Sequence, residues 1–348
     1  MEKFLRVSSS PHITTETSIP KIMIAVVVAL FPAILGAFFY FGWHALFLII
    51  VAVVSALATE AVCQRLRGVP LAINDFSAVV TGILLAFNLP ANAPWWMAVL
   101  GSVFAIGVVK ELFGGLGYNI WNPALAGRAF LLASWPTTMV SNTGYPAPQN
   151  GFLSGMELDG LTQATPLQLL KNSVVPVLKD AGSFSQEQVE AARQALQGMA
   201  GSDYYQSLLW GKIGGVIGET SAALLLLGGV FLLVKGYIDW RVPLGYMGTV
   251  ALMAWVFAGP EGYFTGNVLF HLLSGGLVLG AFFMATDMVT TPVTRKGKWI
   301  FAVGCGVLTM LIRFKGGYPE GVSYAILLMN TATPLIDAYT KPRIYGGS

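Results

Sequence analysis

The feature that most constrains this chain is a succession of apolar runs, many of them about as long as a membrane is thick. A helix needs about 20 mostly apolar residues to cross the hydrocarbon core. A lipid-exposed segment must also satisfy its backbone internally, which favours helices. Five runs come first: Ile22–Phe41 and Trp43–Cys63, joined by a tight turn at Gly42, then Phe76–Phe87, Trp95–Phe113 and Ile120–Trp135. Five more follow at Ile213–Val234, Val242–Phe257, Gly266–Thr286, Trp299–Ile312 and Gly321–Ile336. The stretch between the two sets is Pro/Gly/Asn-rich at its start, then acidic, then polar and helix-like over Ser185–Met199. Charged residues make up 11% of the chain, less than half the value of about 25% usual for soluble proteins. The expected fold is an all-α integral membrane protein of about ten transmembrane helices with one soluble insert.

The division expected is a segment at 1–21, a first membrane unit at 22–135, an inserted domain at 136–212, a second membrane unit at 213–338 and a tail at 339–348. Residues 1–21 hold no apolar core of the kind a cleavable signal peptide has, so none is expected. Weak internal matches recur in the same order in both units. Tyr40-Phe41-Gly42-Trp43 pairs with Tyr237-Ile238-Asp239-Trp240, and Thr81-Gly82-Ile83-Leu84-Leu85 with Leu279-Gly280-Ala281-Phe282-Phe283. Trp96, Gly101, Lys110 and Gly114-Gly115 pair with Trp299, Gly304, Arg313 and Gly316-Gly317. An odd number of spans per unit makes the two units inverted five-helix repeats. Cytoplasmic loops carry an excess of Lys and Arg. With the N-terminus inside, thirteen such residues fall on inner segments, and only Arg313 and Lys315 on short outer loops. Both termini are then cytoplasmic and 136–212 lies on the outer, periplasmic face.

The third run is short and stops at Pro90, and the eighth carries Gly275-Gly276 at mid-length. Interrupted helices at matched places line a central site in many transporters, or their glycines only allow close helix packing. Glu60, Lys110, Glu111, Arg128, Glu219, His271 and Asp287 are the ionisable groups in apolar surroundings, candidates for cation coupling. Lys110 and Glu111 sit at a span end, where they can snorkel to the interface. The two cysteines, Cys63 and Cys305, are far apart and the three histidines are scattered. This chain alone therefore offers no iron–sulfur, structural zinc or paired-histidine haem site. No basic-aromatic strip for nucleic acid is present, and lipid is the surrounding expected. Gly115-Leu116-Gly117 lacks the third glycine of a dinucleotide fingerprint.

The inserted domain contains Asp159-Gly160-Leu161-Thr162-Gln163-Ala164-Thr165-Pro166-Leu167. Thr165 suits a helix N-cap, Pro166 the first helical position, and Gln168 completes a capping box. Such a cap needs no function. The same geometry offers free N–H groups and a positive dipole end to an anion, such as a phosphate carried on the Thr165 hydroxyl. Asp159, Gly160, Thr162, Ala164 and Thr165 resemble the Asp-Gly-x-Thr-x-Ala-Thr motif at which a flavin transferase attaches FMN to the last threonine. A second landmark, Phe113-Gly114-Gly115-Leu116-Gly117-Tyr118-Asn119-Ile120-Trp121-Asn122-Pro123-Ala124-Leu125-Ala126-Gly127-Arg128-Ala129-Phe130, resembles a signature of the same family. That family comprises the D subunit of the Rnf electron-transport complex and the B subunit of the sodium-pumping NADH:quinone reductase. The likeness covers essentially the whole chain, and the short polar N-terminus favours the Rnf branch. Gln163 departs from the glycine of the quinone-reductase motif.

The resemblance implies a flavin-carrying subunit that relays single electrons in a bacterial inner-membrane complex coupled to Na⁺ or H⁺ movement. It implies covalent FMN on Thr165 and a non-covalent riboflavin near the helix junction. Asn119 and Asn122, three apart, are expected on one face of a helix, where their amides could contact that riboflavin. Alternatively both amides cap the fifth helix, with Asn122 as N-cap and Pro123 first inside it. The other Rnf subunits (A, B, C, E and G) are implied as partners, with ferredoxin and NAD bound on them and a flavin transferase acting in maturation. No catalytic residue and no metal site is expected in this chain. Two other readings stand beside this one: a stand-alone channel or secondary transporter, and a membrane anchor without cofactor. Neither has a use for the Thr165 motif.

Overall fold

The computed structural model describes residues 17–140, 145–146, 162–219, 221–259, 262–317 and 320–341. These residues are mostly helical. The first helix, α1 (Ile19–Leu66), runs for 48 residues but is two helices meeting at Gly42, whose φ of 70° and ψ of −155° break the turn. That conformation is essentially confined to glycine. A Cβ there would touch nothing within 4 Å, so the backbone alone demands the residue.

Next come α2 (Ser77–Phe87) and α3 (Trp95–Val103), the latter continuing as π-helix over Phe104–Glu111. α4 (Pro123–Ser134) and the single turn α5 (Pro136–Met139) follow. Two short strands, β1 (Tyr145–Pro146) and β2 (Thr162–Gln163), pair antiparallel. One helical stretch is then built from α6 (Pro166–Gln168), a π segment at Leu169–Val174 and α7 (Val175–Lys179). α8 (Gln186–Met199) starts at a Ser185–Gln188 capping box, where the polar stretch was expected, and α9 (Ser202–Trp210) completes the insert. The remaining helices are α10 (Ala222–Val234), α11 (Arg241–Phe257), α12 (Val268–Leu273), α13 (Leu277–Leu279) with a π segment at Gly280–Met284, α14 (Arg295–Lys315) and α15 (Val322–Tyr339).

One face of α1 is lined by Ala29, Ala33, Ala37, Ala45, Ala52 and Ala56, all buried. Small side chains let helices approach closely. On its other face Phe31, Leu35, Phe39, Phe47, Ile50 and Val54 are each about half exposed. An apolar stripe of this length does not face water in a soluble monomer; it is a lipid-facing surface.

Several helices are shorter than the apolar runs that contain them. Among the described residues, α1 and α14 alone are long and apolar enough by themselves to cross a bilayer, while α2, α10 and α11 are shorter apolar helices. The 11 residues of α2 rise about 17 Å, roughly half a hydrocarbon core. The run expected to start at Ile213 forms a single 3-10 turn at Ile217–Glu219 and becomes α-helical only at Ala222, behind a Ser221 N-cap. Before it, Ile217 N–H donates to Leu89 O at 3.0 Å, and Val216 bridges Pro90. This irregular backbone is thus satisfied by the turn that ends α2. The run at Gly266–Thr286 is split between α12 and α13 by Gly275 and Gly276, both in the left-handed region. A small apolar cluster of Leu167, Val174, Met199, Leu208 and Phe270 fastens the insert to α12.

Candidate functional site

Two polar constellations lie inside this apolar frame, and each gathers at a helix break. The first is at the start of α2. Asp75 Oδ1 accepts from Ser77 N (2.8 Å) and Ser77 Oγ (2.6 Å). Lys110, from the π segment, donates to Ser77 Oγ at 2.6 Å and to Glu60 Oε1. Lys110 is 2% exposed and Glu60 1%. Snorkelling is therefore not what Lys110 does: the wide π turn aims its ammonium inward, onto the carboxylate of α1. Glu111, also at the span end, is 2% exposed and takes a 2.6 Å bond from Arg67.

Lys110 also lines an open cleft, together with Ser77, Thr81, Asn119, Asn122 and Asp287. Asn119 and Asn122 do not share a helical face, because residues 112–122 form turns and α4 begins only at Pro123. The structure gives them different jobs. Asn122 is the N-cap of α4: its Oδ1 accepts from Ala124 N and Leu125 N, and its Nδ2 donates to Met284 O at 3.3 Å. Asn119 donates to Trp121 O at 3.0 Å, and its buried Oδ1 has no partner. An orphaned buried acceptor on a cleft wall is what a hydroxyl- or imide-bearing ligand would satisfy. Asn119 thus fits a flavin contact, and Asn122 is taken by the fold. Asp287 accepts from Val289 N (3.4 Å) and Thr290 Oγ1 (3.2 Å), which holds the turn after the second π segment.

The second constellation lies at the end of the bundle that carries the insert. Arg313, expected in an outer loop, is instead 4% exposed within α14. It donates to the carbonyls of His271 (2.7 Å), Ser274 (3.0 Å), Gly275 (3.3 Å) and Glu320 (3.3 Å). These include C-terminal carbonyls of α12 that the break leaves without helical partners. Arg128 donates to Asn88 Oδ1 at 2.8 Å and to Glu320 Oε2. His271 is buried with Nδ1 unpartnered. Glu219 presses its carboxylate against Gly276, where an added Cβ would stand 2.9 Å from Oε1. Sequence reasoning passed over Ser77, Asn88 and Glu320. The only hint for Glu320 was a lone acid next to an apolar run.

The insert meets this second constellation directly. Leu167 packs on Gly275 so closely that an added Cβ would collide with its Cδ1. Lys171 donates to Ile312 O at 3.3 Å and to Gly316 O; burial pushes its ammonium below the usual lysine range. Thr165 caps the helical stretch as expected: its Oγ1 accepts from Gln168 N at 3.2 Å, and Gln168 Oε1 accepts from Thr165 N at 3.2 Å. Pro166 occupies the first helical position. Thr165 is 2% exposed, so its hydroxyl lies inside the packed structure and not on its surface. An ester oxygen can still accept the Gln168 N–H bond, so the cap is chemically compatible with a phosphodiester. Thr162 lies in β2 and Ala164 is half-buried, while Asp159 and Gly160 lie outside the described residues. No group of His, Cys, Asp and Glu among the described residues has metal-binding geometry.

Comparison with known proteins places the chain in a family. Residues 6–346 match the model of the NQR2, RnfD, RnfE family. The D subunit of the Na⁺-translocating ferredoxin:NAD⁺ oxidoreductase complex of Acetobacterium woodii is 50% identical over 342 residues, covering 98% of this chain and 95% of the relative. The D subunit of the proton-translocating ferredoxin:NAD⁺ oxidoreductase complex of Clostridium ljungdahlii is 46% identical over 341 residues, covering 98% and 96%. The D subunit of an ion-translocating oxidoreductase complex of Stutzerimonas stutzeri is 41% identical, covering 95% and 93%. With both the family model and full-length relatives in agreement, the chain belongs to the NQR2, RnfD, RnfE family.

Proposed function

We propose that this chain is the D-type membrane subunit of an ion-translocating ferredoxin:NAD⁺ oxidoreductase complex. The observation that carries the proposal is 50% identity across 98% of the chain to a relative of that name. The coupling ion is Na⁺ or H⁺, because relatives of similar identity are named for different ions. The partners are the A, B, C, E and G subunits, and ferredoxin and NAD bind on those partners. The chain sits in the bacterial inner membrane with both termini cytoplasmic and 136–212 on the periplasmic face.

Its fold in this reading is two inverted five-helix repeats. Matched breaks support this. Phe76 (φ 62°, ψ 7°) caps the start of α2, and Gly276 (φ 61°, ψ 5°) caps the start of α13, about 200 residues later. Lys110 and Arg313, a similar distance apart, each bring a buried cation to the break.

Thr165 carries covalent FMN in this proposal, supported by the Asp159–Thr165 motif and the complete capping box. Riboflavin occupies the cleft beside Asn119, supported by the unpartnered Oδ1. Bound flavins supply one-electron chemistry. The chain's own contribution is placement. Thr165 presents an ester at a helix start, the Leu167–Gly275 contact fixes that helix to the membrane unit, and Asn119 offers an acceptor on the cleft wall. A stand-alone transporter makes no use of the Thr165 motif.

Ultraviolet fluorescence of the denatured protein on a gel tests the covalent link. The wild type from a host with flavin transferase shows a fluorescent band, and Thr165→Ala does not. A dark wild-type band from such a host sinks the flavin assignment, and the channel or anchor reading then replaces it.

A further inference from the structure

Two acids at the insert end of the bundle present a problem of hydrogen-bond valence. Glu320 is 7% exposed. Its Oε2 takes the bond from Arg128, but its Oε1 has no partner. Glu219 Oε1 is likewise buried and without a partner among the described residues. Glu219 Oε1 lies against Gly276, and Arg313 bonds both the carbonyl of neighbouring Gly275 and that of Glu320, which brings the two carboxyl groups together at this break. Two ionised carboxylates are acceptors only and cannot bond. Leaving both oxygens unsatisfied out of water is costly.

The cations around the pair do not resolve this. Arg313 spends its donors on four backbone carbonyls, those of His271, Ser274, Gly275 and Glu320. Arg128 reaches Glu320 Oε2 and Asn88, not the two orphaned oxygens. Among the described residues, His271 on α12 and Tyr246 on α11 are further titratable groups facing Arg313: the free Nδ1 of His271 belongs to a ring whose backbone carbonyl Arg313 holds, and the Tyr246 hydroxyl is bonded to Thr309 Oγ1 at 2.6 Å.

We infer that Glu219 and Glu320 form a proton-binding site, in which Glu219 carries the proton and donates it to Glu320. One proton turns two orphaned acceptors into one hydrogen bond, as in other close carboxyl pairs that share a proton. The two glutamates and two arginines then carry one net positive charge, and none after the proton leaves. Glu219 lies against Gly276, the residue that breaks α12 from α13, and Leu167 lies on Gly275 beside it. Proton occupancy therefore changes the charge directly beneath the helix that starts at Thr165. The site stands on this geometry whether or not Thr165 carries a flavin.

The test is infrared difference spectroscopy on the full chain in lipid nanodiscs at neutral pH. Subtracting Glu219→Gln from wild type leaves the carbonyl stretch of a protonated carboxyl group, shifted in heavy water. Absence of that band overturns the proposal. Glu320→Gln is the second variant and keeps the test decisive if Glu219→Gln does not fold. It keeps the band but moves it, because the acceptor has changed. Loss of the band in Glu320→Gln puts the proton on Glu320 and overturns the assignment of the donor. Sodium chloride added at neutral pH leaves the wild-type band intact. If sodium abolishes it, the ligand of this pair is the metal cation and not a proton.

Discussion

The Lys110–Glu60 pair allows a sharp test of the membrane unit. Substituting Lys110→Met removes the ammonium and leaves the Glu60 carboxylate 1% exposed with no cation. Ser77 Oγ loses its 2.6 Å donor at the same time. Breaking a buried ion pair from one side costs about 3–5 kcal/mol, because the remaining charge stays buried without compensation. That is roughly two to nearly four decades in the folded-to-unfolded ratio. Glu60→Gln alone leaves the ammonium in the same position and is expected to cost a similar amount. The double variant Lys110→Met/Glu60→Gln buries no uncompensated charge and should recover most of the loss, within about 1–2 kcal/mol of wild type. The assay is reversible unfolding of the full chain in mixed micelles by rising detergent denaturant, followed by tryptophan fluorescence. The reasoning is refuted if Lys110→Met costs less than about 1 kcal/mol, or if the double variant is as unstable as the two losses added together.

Under the proposed flavin assignment, Asn119→Leu is expected to abolish the flavin released non-covalently on denaturation and to spare the fluorescence tied to Thr165, as measured on the supernatant and the gel of one sample. Asn122→Ala should instead act on stability, costing about 1 kcal/mol for the lost N-cap, read from the same unfolding titration. Gly228→Ala drives a Cβ into the carbonyl oxygen of Ala29, where α10 crosses α1, and should destabilise by about 1–3 kcal/mol. Asp239 lies between α10 and α11. Burial pushes its carboxyl up, but the bonds from Arg241 N and from Lys298 at 3.0 Å outweigh that and hold it below the usual range. A depressed carboxylate stabilises above its unfolded value of about 3.9 and loses that stabilisation as pH falls through the folded value. Asp239→Asn should flatten the acid limb of stability against pH below about pH 4, and an unchanged limb would count against the Lys298 contact.

What could be read from the chain was local. Thr165 and Gln168 are three residues apart, as are Ser185 and Gln188, so each capping box was visible as spacing alone. Gly42 was legible as a turn because its neighbours are apolar on both sides. The polar interior was not legible. Glu60 meets Lys110 across 50 residues and Arg128 meets Glu320 across 192, and nothing in a linear pattern names such partners. Arg313 looked like a loop charge because apolar residues stop beside it. In fact α14 continues to Lys315, and the guanidinium turns inward to satisfy the broken α12. Helix lengths were overestimated wherever irregular backbone stays apolar, as before Ala222, since hydropathy does not register whether a residue is helical.

The bond between Arg128 and Glu320 also has a consequence in time. A ribosome adds about 5–20 residues per second, so the 192 residues between them take some ten to forty seconds to make. During that interval α4 is present without the carboxylate that holds its arginine. Asn88, only 40 residues upstream of Arg128, is already synthesised and can accept one of the guanidinium bonds. The order of synthesis thus gives Arg128 a neutral escort first and its counter-charge last. The segment carrying Glu320 arrives as the piece that locks α4.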